Sequence, residues 1–110
     1  MIEEDRRSDE RVRLALEVRW QTASGSYTGR CGDISRRECH VETTAPVPVG
    51  ECLCVEIRLA ASNWLPLCGE IVNHQPGAGF SIRFEDLPVT SREMLAHLID
   101  YFREGQSMSW

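Results

Sequence analysis

The sequence predicts a mainly β domain, six or so short antiparallel strands in a small barrel or sandwich, with one C-terminal α-helix. Three observations carry that prediction. Between Leu14 and Phe84, apolar residues recur at period two in short runs separated by Gly, Pro, Ser and Asn turn signals. After Pro88 the period changes to that of a helix. The chain has 110 residues, enough for one hydrophobic core and too few for two.

The elements follow in order. Residues 1–11 are almost all charged and have nothing to bury, so they read as a flexible arm, here bounded at 1–13. Leu14, Leu16, Val18 and Trp20 then alternate with Ala15, Glu17 and Arg19, the pattern of a half-buried strand, and Ser24-Gly25 turns it. Tyr27 to Ile34 is a second strand, weakened by Gly29 and Gly32; a short third runs from Cys39 to Thr43. Ala45-Pro46-Val47-Pro48-Val49-Gly50 is a loop, because each Pro removes a ladder donor. Leu53, Val55, Ile57 and Leu59 alternate with Cys52, Cys54, Glu56 and Arg58 in the cleanest strand of the chain. A fifth strand spans Leu65 to Asn73, and Gln75-Pro76-Gly77-Ala78-Gly79 turns into a sixth with Phe80, Ile82 and Phe84 on one face. Met94, Leu95, Leu98, Ile99 and Phe102 form one stripe of a helix over 90–104, with Thr90 and Glu93 as a capping box and Gly105 as the stop. That stripe needs a surface: one end of the strand domain, or a second subunit. The assignment is an arm at 1–13, a domain at 14–104 and a tail at 105–110.

Composition narrows the function. An apolar fraction of 42% and a charged fraction of 26% are those of a globular chain, and no apolar run approaches a membrane span. The first residues lack the apolar core of a signal peptide, which places the protein in the cytoplasm. Five cysteines (Cys31, Cys39, Cys52, Cys54, Cys68) without such a signal argue against a disulfide framework and for buried or half-buried thiols. Zinc, with His40 and His74 as further ligands, is disfavoured because no Cys-x-x-Cys pair exists. All twelve basic residues are Arg, a bias that codon usage alone can produce. Eight of them stand against eight acids in residues 1–40, while residues 41–110 carry the whole net charge of −5. An acidic chain of this kind is no general DNA or RNA binder, yet its arginine-rich front can hold one small anion.

Enzyme chemistry finds no purchase. His40, His74 and His97 belong to no nucleophile motif, and no glycine-rich loop leads into the helix. One arrangement stands out. Arg7 and Arg11 stand four apart ahead of the first strand, and Asp33-Ile34-Ser35 ends the second. Guanidinium groups stack on purines and bridge phosphate oxygens, while a carboxylate accepts the paired N–H donors of a guanine edge. The same residues also fit a solvated charge pair beside an ordinary Asx or Ser turn.

These fragments resemble the PilZ domain, the bacterial receptor module for cyclic di-GMP, over about Arg6 to Phe102. Arg7-Ser8-Asp9-Glu10-Arg11 matches the family's R-x-x-x-R. Asp33-Ile34-Ser35-Arg36-Arg37-Glu38 matches [DN]-x-S-x-x-G at its first two defined positions, with Glu38 where the family has Gly. Val41-Glu42-Thr43, Pro46-Val47-Pro48-Val49-Gly50, Gly69-Glu70-Ile71-Val72 and Gly79-Phe80-Ser81-Ile82-Arg83-Phe84 follow in the family's order. The resemblance implies a six-stranded antiparallel barrel with a C-terminal helix. It implies that cyclic di-GMP is the ligand, with no other cofactor, and that the chain, monomer or homodimer, relays binding to a protein effector in motility or biofilm control. Arg7 and Arg11 would clamp phosphates and stack on bases, Asp33 and Ser35 would hold a guanine edge, and the arm would close over the nucleotide. Arg6, Arg36 and Arg37 are possible further contacts. The departure at Glu38 implies a cost on two grounds: a backbone conformation or close approach suited to Gly, and a carboxylate beside a dianionic ligand. It leaves a second reading, an adaptor that acts by protein contact without nucleotide.

Overall fold

Alternating burial sets the strands. In β1 (Val12–Thr22), Val12, Leu14, Val18 and Trp20 are buried and Arg13, Ala15, Glu17 and Arg19 are exposed, so one face of the strand must meet a core. The same logic builds β2 (Gly25–Ile34), β3 (Glu38–Glu42), β4 (Cys52–Ala60), β5 (Asn63–Gln75) and β6 (Gly79–Phe84). The computed structural model of the protein describes residues 10–107. Its six strands, all antiparallel to their neighbours, form a closed barrel in the order β1-β2-β3-β6-β5-β4, the last strand pairing back to β1 through Val18–Ile57, Arg19–Glu56 and Trp20–Val55. Closure removes sheet edges and leaves the inward faces to pack on one another. Ile34, Val41, Val55, Ile57, Leu65, Leu67, Phe80 and Ile82 fill the interior with no exposed surface. Trp20 meets Phe80 edge to face, with ring centroids 5.3 Å apart.

The helix α1 (Val89–Ser107) packs against β1 and β5 and adds Leu95 and Ile99 to the same core, with Met94, Leu98 and Phe102 half-buried around them. The first i→i−4 bond runs from the Arg92 amide to the Pro88 carbonyl, so Pro88 is the cap and Thr90 sits inside the first turn, not at the capping position the sequence suggested. The helix also continues through Gly105 to Ser107. A glycine costs a helix about 1 kcal/mol, which does not by itself end one. At the other end, β1 starts at Val12, two residues before the expected boundary, because Val12 is buried and paired with Ile34. Arg6 and Arg7, with the rest of residues 1–9 and with 108–110, lie outside the described residues. Among the described residues no helix is long and apolar enough to cross a membrane.

The cysteines depart from expectation at one place. The β4–β5 register sets Cys54 opposite Cys68, and a disulfide joins them. Strand register, which a sequence read alone leaves open, decides that pairing. Cys31 and Cys39 are buried thiols and Cys52 is an exposed one. A hydrogen bond with Cys31, and then burial, push the Cys39 thiol well above its ordinary range, so it stays protonated and unreactive at neutral pH. Under non-reducing conditions an aromatic disulfide reagent at pH 8 is therefore expected to titrate one thiol per native chain, Cys52. Denatured chain should give three, from Cys31, Cys39 and Cys52; a count of five would show Cys54 and Cys68 reduced.

Candidate functional site

The start of β1, the end of β2 and the turn into β3 meet at one place. Asp33 is next to last in β2, opposite Arg13 of β1 and His40 of β3. Register shifts between Arg13 and Leu16 on β1 and between Cys31 and Asp33 on β2 both fall just ahead of it in β2, and such bulges re-aim side chains at the rim of a barrel. Arg11, one residue ahead of β1, donates from Nη1 to Oδ1 of Asp33 at 2.8 Å and from Nη2 to Oε1 of Glu38 at 2.9 Å. The planar fork of the guanidinium thus spans two carboxylates from two strands. Burial opposes the charge on Arg11, but hydrogen bonds to Glu38 and Asp33 outweigh it and raise its pKa above the ordinary value. Arg11 remains a cation throughout the pH range in which the fold is stable.

Ser35 is 1% exposed, and its hydroxyl is the hub of the turn. Oγ accepts the Arg37 amide at 3.1 Å and the Glu38 amide at 3.2 Å, and donates to the Glu38 carbonyl at 3.4 Å. The Ser35 amide closes the turn on the Glu38 carbonyl at 2.8 Å. Ser35 therefore shapes the turn that carries Arg36 and Arg37 and turns no hydroxyl outward. The Arg37 carbonyl accepts the Phe84 amide at 2.8 Å, which ties the turn to β6. Arg36 is exposed and, with Val89, Arg92 and Leu95 of α1, lines a cavity of about 400 Å³ between the turn and the helix.

Glu38 does not strain the backbone. Among the described residues Asp86, with φ of 54°, is the single non-glycine at positive φ, so Glu38 opens β3 in an ordinary strand conformation, paired with Arg83. The conformational part of the expected cost at this position is absent, and what remains is its side chain, already in the grip of Arg11. That contact has no signature in periodicity or motif. Nor does a second one: Glu10, beside Arg11 in the chain, accepts from Nη1 of Arg103 in α1 at 2.9 Å, while Nη2 of Arg103 donates to Asp100. The remaining candidates do not converge. His40 lies within 3.4 Å of the Ser81 hydroxyl, His74 stands in β5 and His97 is exposed on α1. Among the described residues no group of three or more His, Cys, Asp or Glu could hold a metal ion.

Comparison with solved structures finds the same architecture. The PilZ domain of YcgR from Escherichia coli, solved with c-di-GMP, superposes with a TM-score of 0.73 at 14% identity, over 88% of this chain and 91% of that one. The PilZ domain of CeSA from a cellulose-synthesizing bacterium gives 0.65 at 21% identity, over 86% and 99%. The Bacillus subtilis inhibitor of motility (MotI/DgrA) gives 0.69 at 15% identity, over 90% of this chain and 50% of that longer one. No curated protein matches the chain in sequence. The family model of the PilZ domain matches residues 5–101, which takes in both arginines of the first motif, every strand of the barrel and most of the helix. By that match, and by the barrel that carries its motifs in the family's order, the chain belongs to the PilZ domain family.

Proposed function

We propose that the chain is a cyclic di-GMP receptor domain of bacterial second-messenger signalling. The observation that carries this reading is the convergence of Arg11 on Asp33, which unites the two motif fragments across 22 residues of sequence. In the complex Arg11, with Arg7 ahead of it, clamps phosphate and stacks on a base. Asp33 accepts a guanine edge, Ser35 holds the turn in shape, and Arg6, Arg36 and Arg37 add positive charge. The N-terminal arm closes over the nucleotide, and that closure is the signal passed to a protein effector in the cytoplasm, the chain acting as a binding and relay module and not as an enzyme. The fold shared with a c-di-GMP-bound PilZ domain supports the reading. Calorimetric titration of the wild type with cyclic di-GMP tests it. Saturable binding is expected at tens of micromolar protein, and its absence would remove the proposal.

One observation favours a second reading, in which the domain is an adaptor that contacts a partner without nucleotide. Glu38 holds the second nitrogen of Arg11 at 2.9 Å and sets a carboxylate where a dianionic ligand would come. Glu38→Gly separates the two. If the ligand must displace that carboxylate, the variant is expected to bind cyclic di-GMP roughly 10- to 100-fold more tightly, since about 1.4 kcal/mol is tenfold. An adaptor would show no binding in the wild type, and binding gained only in Glu38→Gly would identify that carboxylate as what closes its site.

A further inference from the structure

Consecutive residues Glu10 and Arg11 are each tied to a different part of the fold. Arg11 is held by Asp33 of β2 and Glu38 of β3. Glu10 is held by Arg103, from the last turns of a helix that begins some eighty residues away in the chain. Arg103 is itself steadied by Asp100 one turn earlier on α1, so its guanidinium bridges two carboxylates as that of Arg11 does. That part of the helix is anchored, not loose: Ile99 is 3% exposed in the core, and Phe102 packs against it. With Glu10 fixed to a packed helix, the backbone that carries Arg11 is held, so its guanidinium reaches a ligand from a fixed base, and any displacement of that base is passed on to the helix.

We propose that Arg103 is a positioning residue for the nucleotide site: through Glu10 it fixes Arg11 over Asp33 and Glu38, and it links occupancy of the site to the C-terminal helix. This rests on the receptor reading above. The linkage runs both ways, because a ligand that gains affinity from the Glu10–Arg103 tie must strengthen that tie when it binds. Holding Arg11 in place before binding lowers the ordering cost of the complex.

The test separates positioning from plain electrostatics. Arg103→Gln removes a positive charge and Glu10→Gln a negative one, so a field effect on an anionic ligand would shift affinity in opposite directions. Positioning predicts that both weaken cyclic di-GMP binding by about threefold, and that the double variant is no weaker than either single one, the mark of two groups acting through one contact. The reversed pair, Glu10→Arg with Arg103→Glu, restores the affinity. Hydrogen exchange provides a readout without ligand: Arg103→Gln speeds exchange at residues 10–14, and in the wild type cyclic di-GMP slows exchange at residues 98–104 as well as at the site. Shifts of opposite sign in the two single variants, or wild-type affinity and exchange in Arg103→Gln, would overturn the inference while leaving the receptor reading intact. Absence of binding by the wild type would overturn both.

Discussion

Arg11→Ala is expected to weaken cyclic di-GMP binding by roughly 30- to 150-fold while leaving the fold in place. A hydrogen bond from a charged donor is worth about 1.5–3 kcal/mol, and an arginine that meets a phosphate offers two in parallel. Part of that gain is offset, because Arg11 already spends both ends of its fork on Asp33 and Glu38. The variant, however, does more than delete a contact. It leaves two carboxylates facing an incoming dianion with no cation between them. A net loss of about 2–3 kcal/mol gives the range above. Stability should hardly move, since the Arg11 side chain is 45% exposed and ion pairs of that kind contribute at most about 1 kcal/mol. Calorimetry and a thermal melt on the same sample check both halves. Arg11→Lys keeps the charge but loses the planar fork, and should fall between wild type and Ala. A drop in Tm of more than about 8 °C in Arg11→Ala would show that the residue holds the barrel together and not the ligand.

The largest effect on stability is expected at Gly69. A β-carbon there would stand 2.0 Å from the Arg83 carbonyl oxygen, 2.6 Å from its carbon and 2.8 Å from Cα of Phe84. All three are backbone atoms of β6, a strand hydrogen-bonded on both sides, to β3 and to β5, and tied to the site turn through the Phe84 amide. Nothing at that position can give way by rotating a side chain. Gly69→Ala must therefore part β5 from β6, with a cost of about 3 kcal/mol or more and a fall in Tm of about 15 °C or more. Gly77→Ala is the control. Gly77 has φ of +80° but open space around its β-carbon, so the change carries only the left-handed backbone penalty of about 1 kcal/mol. Equal losses at the two positions would remove the argument from close approach.

These two residues also show what a sequence reveals and what it withholds. Val12 to Phe84 announces its strands because inward faces must be apolar, and alternation at period two records that directly. Arg11 and Asp33 were legible as a pair only through their motifs; the spacing of 22 residues says nothing until β1 and β2 are placed side by side. Gly69 lies in a motif, but the reason for a glycine is the passage of another strand, fixed by register. Register likewise decides the Cys54–Cys68 bridge, and it escapes any reading of local pattern. The hydrogen bonds that Ser35 makes within its turn and that Glu38 makes with Arg11 were not legible for a related reason. Whether a hydroxyl points into a turn or a carboxylate folds onto a neighbour depends on side-chain geometry that residue type alone does not set.

The strand order has a consequence for how the molecule is put together in time. β1, β2 and β3 form one meander and β4, β5 and β6 another, each zipped from neighbours in the chain, and the two are sewn into a barrel by the seams β1–β4 and β3–β6. Those seams join residues about 40 positions apart, and their closure entropy makes them the slow contacts of folding. Arg11, Asp33, Ser35 and Glu38 all belong to the first meander and its edges. The side chains of the candidate site are thus local in the chain, whereas the ties that hold them, from Phe84 of β6 and Arg103 of α1, come only with the second half of the molecule.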